Sequence, residues 1–214
     1  MYRAGFWLAI LALACGVAAA PAQEAVRARQ NIEYRLITPQ PVGIPGAIEV
    51  IDFFWYGCPY CYELQPALEE WLRRKPADVT LRRVPAILRD SWAPHARIYY
   101  TLEILGEVGR LHLNVYDGIH LDGLRLTEPD AAEQWAARNR IDRGRWRDAY
   151  RSAEVDARVE HAREITRRYE IMVTPSLVVD GRYLTSSGIA EGVRGVIPVV
   201  EDLVSLARRK RGQE

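Results

Sequence analysis

The chain has 214 residues, 49% of them hydrophobic, and its 29 basic residues nearly balance its 28 acidic ones. This length and composition are typical of a globular protein with a full-sized core, built as one domain or as one domain with an insertion. The net charge of +1 gives no argument for nucleic-acid binding, and none is predicted.

The N-terminal segment, residues 1–22, has the layout of a secretory signal peptide. Arg3 supplies the positive charge, residues 6–14 are apolar, and small residues lead to Ala22, after which cleavage is predicted. The apolar stretch is shorter than the roughly 20 residues that a membrane-spanning helix needs. Two alternatives remain open, an uncleaved membrane anchor and a lipid-modified Cys15. Cleavage would leave an exported protein.

Strand and helix patterns then alternate along the first third of the chain. Residues 32–38 alternate like a short strand, and residues 47–56 are an almost continuous run of β-branched and aromatic side chains, typical of a strand buried on both faces. From Pro59 the apolar residues recur at helical spacing, and proline suits the first position of a helix. Residues 78–84 predict a further strand. This order is the start of an α/β unit.

A long helical block follows before the strand pattern returns. Residues 91–170 show helical periodicity almost throughout, enough for four or five helices. In residues 174–186, the pair Asp180-Gly181 separates two apolar runs and predicts a β-hairpin. A last helix is predicted over residues 191–209. Strands at both ends and helices between them predict an α/β domain with a helical insertion. The predicted boundaries are residues 23–89 and 163–214 for the α/β domain and residues 90–162 for the insertion.

Cys58 and Cys61 lie in the sequence FFWYGCPYCYEL, and they are the only cysteines left after cleavage. A single close pair is not the framework of a disulfide-stabilised scaffold, which needs several bridges. A zinc site needs three or four protein ligands, and the histidines are scattered through the helical block, so no metal site is predicted. A c-type haem is excluded because Tyr62, rather than histidine, follows Cys61.

A redox pair fits the local chemistry. Cys58 is predicted at the N-terminus of the helix that follows the buried strand, where unpaired backbone N–H groups and the helix dipole stabilise a thiolate. We therefore expect Cys58 to be an exposed, acidic nucleophile and Cys61 to be a buried thiol that resolves a mixed disulfide. Stabilising the thiolate stabilises the reduced form, so the disulfide is a good oxidant. An exported protein of this kind is better suited to donating disulfides than to breaking them.

Other residues near the pair were assigned from their positions. Asp52 is a carboxyl within the apolar strand and is predicted to accept the proton of Cys61 through water; the alternative is a salt-bridged strand-end carboxylate. Tyr60 and Tyr56 are expected on the surface near the disulfide. His95 and His120 are interpreted as ordinary helix residues.

The cysteine motif, the upstream acid and the segment VTPSLVVDGRY together resemble the thioredoxin superfamily and, more narrowly, the DsbA family of periplasmic thiol oxidases. The resemblance covers essentially the whole mature chain. It is specific because plain thioredoxins lack the long helical insertion. It implies a thioredoxin-like fold with an inserted all-helical domain.

By this resemblance Cys58 is the nucleophile, Cys61 is the resolving cysteine, and Asp52 takes the place of the buried acid. Pro175, which on sequence alone would begin a strand after an ordinary trans bond, becomes a cis-proline facing the disulfide. The implied substrate-binding residues are Pro175, Thr174, Pro59 and Tyr60.

The chain departs from the familiar DsbA pattern at three places. Pro-Tyr stands between the cysteines where Pro-His is usual, and because Tyr60 cannot carry a positive charge, a weaker oxidant is predicted. The buried acid is Asp52 rather than glutamate. The lysine that accompanies this acid in the family is not evident near Leu81, Arg82 and Arg83.

The resemblance implies a periplasmic enzyme that oxidises reduced exported proteins and is itself reoxidised by a DsbB-like membrane quinone reductase. It implies no cofactor beyond the Cys58–Cys61 disulfide, and a monomer is expected. Two alternatives are a disulfide isomerase or reductase of the DsbC/DsbG type and a non-catalytic peptide-binding or chaperone module with a static disulfide.

Overall fold

A computed structural model describes residues 27–43 and 46–213. The predicted signal peptide and Cys15 lie outside the described residues. None of the described helices is long and apolar enough to span a membrane.

A five-stranded mixed sheet forms the centre of the molecule, in the order β1-β5-β4-β2-β3. Strand β2 is parallel to β3 and antiparallel to β4, and β5 is antiparallel to both β4 and β1. All seven residues of β2 are buried, which confirms the prediction of a strand covered on both faces. The strand predicted over residues 32–38 is only two residues long. The bounds are Arg35–Leu36 for β1, Ile48–Phe54 for β2, Val79–Pro85 for β3, Ser176–Val179 for β4 and Tyr183–Ser186 for β5.

The helices form two groups. Helix α1 connects β2 to β3, and helix α7 follows β5. Helices α2 to α6 follow one another between β3 and β4, with a short 3₁₀ turn at Asp90–Trp92 before α2. The predicted helical insertion is therefore present in an α/β fold. The bounds are Pro59–Arg74 for α1, Ala93–Ile104 for α2, Val108–His120 for α3, Pro129–Arg138 for α4, Arg143–Tyr150 for α5, Ala153–Arg168 for α6 and Val193–Arg211 for α7.

The hairpin between β4 and β5 turns as predicted from Asp180-Gly181. Both residues have positive φ angles, 54° and 64°, which is the geometry that this dipeptide favours. A Cβ atom at Gly181 would lie 2.3 Å from the carbonyl oxygen of Gln40, so only glycine fits.

Two hydrophobic clusters lie on opposite faces of the sheet. Val50 and the other side chains on its face of the sheet pack against α1 and α7, through residues such as Leu68 and Leu203. Ile51 and the other side chains on the opposite face pack against the helical insertion, through residues such as Ile98. Successive β2 residues point to opposite faces, so this strand contributes to both clusters. Each buried aliphatic side chain stabilises the fold by about 1.5–3 kcal/mol before entropy is counted.

Strand pairing brings two distant parts of the chain together at one edge. Phe53 near the end of β2 pairs with Ser176 at the start of β4. Because these strands are antiparallel, the segment after β2, which carries Cys58, lies beside the segment before β4, which carries Thr174 and Pro175.

Candidate active site

Cys58 caps the N-terminus of α1. Its Sγ accepts a hydrogen bond from the backbone N–H of Cys61 at 3.3 Å, and Pro59 occupies the first helical turn. The predicted helix-terminal position is present. The expectation of an exposed thiol is wrong, because Cys58 is only 6% exposed. The thiol lies against the segment before β4 and donates to the carbonyl oxygen of Thr174 at 3.3 Å.

The environment of Cys58 favours its thiolate. The pKa of Cys58 is lowered from 9.0 to about 6, first by the hydrogen bond from the Cys61 thiol. Hydrogen bonds from the Thr174 side chain and from the backbone N–H groups of Cys61 and Tyr60 act in the same direction, whereas burial opposes them. A large fraction of Cys58 is therefore ionised at neutral pH.

Cys61 has the opposite character although it lies one helical turn away. It is 1% exposed, and its pKa is raised well above 9.0, first by burial and then by its hydrogen bond to Cys58 and the charge of that thiolate. Asp52 raises it further. Both thiols are free in this structure. The pair thus combines one acidic thiol with one that holds its proton.

The bond between Thr174 and Pro175 is cis, as the family resemblance implies and as the sequence alone did not favour. Strand β4 begins at the next residue, Ser176, whose hydroxyl donates to the carbonyl oxygen of Val173 at 2.8 Å. This turn holds the Thr174 carbonyl against Cys58.

Asp52 is completely buried on β2, and neither of its carboxylate oxygens has a hydrogen-bond partner. Burial raises the pKa of Asp52 from 3.8 to about 6, while the charge of Arg83 acts against this rise. The charge of the Cys58 thiolate also raises it. A carboxyl that titrates near neutral pH and whose charge acts on both thiols can accept and return a proton.

The aromatic residues after β2 do not all lie where the sequence placed them. Tyr60 is 59% exposed, as expected, but Tyr56 is completely buried, so the expectation of an exposed Tyr56 is wrong. The hydroxyl of Tyr56 forms a 2.9 Å hydrogen bond with Nδ1 of His112, and His120 Nε2 lies 2.8 Å from the Tyr56 carbonyl oxygen. Helix α3 of the insertion therefore covers this tyrosine.

Trp55 and Trp92 join the sheet domain to the insertion. Their rings are parallel, with centroids 4.2 Å apart and an interplanar angle of 1°. His95 is buried beside them, and burial lowers its pKa to about 4. His95 is thus a neutral packing residue, in agreement with its interpretation as an ordinary helix residue.

A groove with a volume of about 800 Å³ opens beside Cys58. Its walls come from the turn before β4, the segment after β3, and α6 of the insertion, with Thr174 and Trp92 among the lining residues. An extended peptide segment could therefore reach the Cys58 sulfur from this side. The described residues contain no cluster of three or more His, Cys, Asp or Glu side chains able to hold a metal ion.

The chain is similar in sequence to proteins named thiol:disulfide interchange protein DsbA. The thiol:disulfide interchange protein DsbA of Azotobacter vinelandii is 37% identical over 180 residues, which cover 84% of this chain and 83% of that protein. DsbA of Bordetella pertussis is 36% identical over 203 residues, 94% of this chain and 96% of that protein. No protein-family model matches the chain.

The crystal structure of Pseudomonas aeruginosa DsbA matches the fold with a TM-score of 0.82 at 30% identity, covering 86% of this chain and 97% of that one. The chain belongs to the DsbA family. The thioredoxin-like fold with a helical insertion and the interpretation as a thiol:disulfide oxidoreductase are thereby confirmed.

One candidate site residue of this DsbA protein was missed in the sequence. Arg83 on β3 is the register partner of Asp52 on the parallel strand β2, and it is the cation that counteracts the rise in the Asp52 pKa. Its guanidinium is bound by Glu69 at 2.5 Å. The family resemblance points to a lysine at such a place rather than an arginine, and the parallel register that pairs the two residues has no signal in the sequence.

Proposed function

We propose that this DsbA protein donates its Cys58–Cys61 disulfide to reduced exported proteins in the periplasm. The observation that carries the proposal is the contrast between two adjacent thiols, Cys58 with a pKa of about 6 and Cys61 with a pKa well above 9.0. Stabilising the Cys58 thiolate favours the reduced enzyme, and the disulfide is correspondingly oxidising.

In the first step the thiolate of a reduced substrate attacks Cys58 Sγ. The Cys58–Cys61 bond breaks, its electron pair stays on the Cys61 sulfur, and that sulfur takes a proton, for which Asp52 is the nearby donor. A second substrate thiolate then attacks the substrate sulfur of the mixed disulfide and releases Cys58 as a stabilised thiolate. The substrate leaves oxidised, and the enzyme leaves reduced.

The remaining parts of the proposal concern binding and turnover. Thr174 and Pro175, with Pro59 and Tyr60 across from them, are the residues proposed to bind an extended substrate segment. The enzyme is proposed to act as a monomer without a separate cofactor and to be reoxidised by a DsbB-like membrane quinone reductase. It is proposed to act in the periplasm, which the family resemblance implies and the export indicated by the predicted signal peptide supports.

The test is oxidation of a reduced peptide with two cysteines by stoichiometric oxidised protein, followed by mass spectrometry. The wild type is expected to oxidise one peptide per enzyme molecule, whereas Cys58→Ala should be inactive with an unchanged far-ultraviolet circular dichroism spectrum. A Cys58→Ala protein that is less stable but functionally unchanged in cells would support the static disulfide instead. A largely reduced cysteine pair in cells would favour the isomerase or reductase.

The redox potential of the Cys58–Cys61 pair measures how strongly its disulfide oxidises a substrate. A family relative with a nucleophile pKa of about 3.5 has a potential of about −120 mV, and each pKa unit corresponds to roughly 30 mV. A pKa of about 6 for Cys58 then predicts a weaker oxidant, at roughly −200 mV. Equilibration with glutathione checks this value, and a potential near the −270 mV typical of thioredoxin would contradict the proposed oxidase.

A further inference from the structure

The groove beside Cys58 combines an apolar surface with a basic rim. Side chains from three separate segments form the apolar part, and they include Trp55, Ile87, Trp92, Ile171, Met172 and Val173. Met172 is 78% exposed and Val173 is 49% exposed, although both precede the buried strand β4. Large apolar side chains left exposed beside a reactive thiol are typical of a binding surface.

The rim of the groove carries three arginines, which are not equivalent. Arg163 is already paired with Asp90 at 2.7 Å. Arg89 and Arg167 are exposed, and no hydrogen bond or ion pair joins either of them to a carboxylate in residues 27–43 and 46–213.

The acid that lines the same groove does not offset these two charges. Glu170 is engaged on its other side by Arg35 at 2.9 Å, and its second oxygen accepts hydrogen bonds from Thr38 at 3.0 Å. The groove therefore presents two uncompensated guanidinium groups, one on the segment after β3 and one on α6.

We propose that Arg89 and Arg167 give this enzyme a preference for substrate segments that carry an acidic residue close to the reacting cysteine. The occupant is an extended segment of a reduced substrate protein, with its cysteine at Cys58, apolar side chains on the groove floor, and a carboxylate at the rim. This inference rests on the proposed function, because it concerns the attack of a substrate thiolate on the Cys58–Cys61 disulfide.

Charge complementarity selects this occupant over a neutral or basic segment. A guanidinium group of the enzyme can bind a substrate carboxylate through two parallel hydrogen bonds. A neutral segment lacks this carboxylate, and the positive charge of a lysine-containing segment is repelled. The preference should be electrostatic and should weaken as salt is added, since both arginines are exposed.

The experiment uses oxidised full mature protein and three sets of single-cysteine peptides. The sets differ only in carrying Glu, Gln or Lys, placed in turn at each position from three before to three after the cysteine. Rates of attack are followed by stopped-flow tryptophan fluorescence. Each rate is divided by that of the same peptide with hydroxyethyl disulfide, which removes the effect of the neighbouring charge on the pKa of the peptide thiol.

At the best position, the Glu peptide is expected to react about fivefold faster than the Lys peptide at low salt, a ratio consistent with one or two exposed ion pairs. The ratio should fall below about twofold in Arg89→Gln/Arg167→Gln and in 1 M salt. The matched control is Arg138→Gln/Arg145→Gln, which removes the same net charge from exposed positions outside the groove. It should keep the wild-type ratio.

Other results would overturn the proposal. Equal Glu and Lys rates at every position in the wild type would do so, as would a preference that survives in Arg89→Gln/Arg167→Gln. Rates per enzyme that fall as the protein is concentrated would assign the groove to a second copy of the chain. Failure of the proposed function has a different signature, because all peptides, including the neutral Gln set, would then be unreactive.

Discussion

The β2–α1 junction and the helical insertion meet at the active site but contribute differently to it. The junction holds the reacting sulfurs and Asp52 within one strand end and one helical turn. The insertion holds none of these groups, yet it covers Tyr56 with His112, stacks Trp92 on Trp55, and supplies a wall of the groove. The reactivity of the sulfurs is thus set by the junction together with the turn before β4, whereas the insertion supplies part of the surface through which a substrate reaches Cys58. Four experiments test this division.

The largest expected effect is the pH dependence of the reduced protein that comes from Cys58. Its folded pKa of about 6 is below the ordinary 9.0, so the thiolate stabilises the folded reduced state in full above pH 9. This stability is lost as the pH falls from 9 towards 6, by up to about 4 kcal/mol. Urea unfolding of reduced wild type and reduced Cys58→Ala, between pH 5 and 9, measures it. Parallel pH curves for the two proteins would show that the junction does not stabilise the thiolate.

Asp52 should have the opposite effect on stability. Its folded pKa of about 6 lies above the ordinary 3.8, so burying the ionised carboxylate destabilises the fold as the pH rises through this window. Asp52→Asn is therefore expected to stabilise the protein by about 2–3 kcal/mol above pH 6 and by almost nothing below pH 4. It should also slow the release of Cys61 during turnover.

Urea unfolding at pH 4 and pH 7.5 checks this prediction for Asp52. The matched control is Asp148→Asn on the exposed surface of α5, where a change within about 0.5 kcal/mol is expected at both pH values. Destabilisation by Asp52→Asn at pH 7.5 would mean that the carboxylate is held by interactions that the structure does not contain.

Trp92→Ala should change the contribution of the insertion without changing the reactivity of Cys58. The substitution removes the stacked contact with Trp55 and part of the groove wall, and we expect it to lower the free energy of unfolding by about 2 kcal/mol. Substrate oxidation should slow while the pKa of Cys58 stays near 6, since the groups that set this pKa lie outside the insertion. Thermal unfolding and thiolate absorbance measure the two effects.

The control for Trp92 is Leu121→Ala, because Leu121 is 70% exposed just after α3 and should have little effect on stability. A shift of the Cys58 pKa by a full unit in Trp92→Ala would contradict the proposed division between reactivity and access.

The smallest expected effect comes from the exposed residue between the cysteines. Tyr60→His would place a group that can be positively charged beside the thiolate, and it should make the potential more oxidising by roughly 30 mV, or about 1.4 kcal/mol. Tyr60→Phe keeps the ring without the charge and should leave the potential within about 10 mV of the wild type. Equal potentials for the His and Phe variants would remove Tyr60 as the reason for a weaker oxidant.

Much of the α/β domain, including the junction, could be predicted because its signals are local. The apolar run of β2, the helical spacing after Pro59 and the Asp180-Gly181 turn each depend on neighbouring residues, and the structure contains all three elements. The cis bond before Pro175 followed from the family resemblance and not from local sequence, where a trans bond is the common case.

The errors concern burial and pairing between distant segments. Cys58 was expected to be exposed, but the turn before β4 covers it. Tyr56 was expected on the surface, but α3 of the insertion buries it and binds its hydroxyl. Arg83 was passed over because its relation to Asp52 depends on the register of two parallel strands.

The sequence by itself determined the strand–helix junction and a cysteine pair whose first member caps a helix, and it predicts an export signal. Periodicity, capping and composition act over a few residues, and a sequence displays them directly. Only the tertiary structure decided how deeply Cys58 lies, which cation opposes Asp52, and that Arg89 and Arg167 share one groove with the reactive sulfur. Those facts depend on strand register and on the packing of the insertion, which bring together residues that are far apart along the chain.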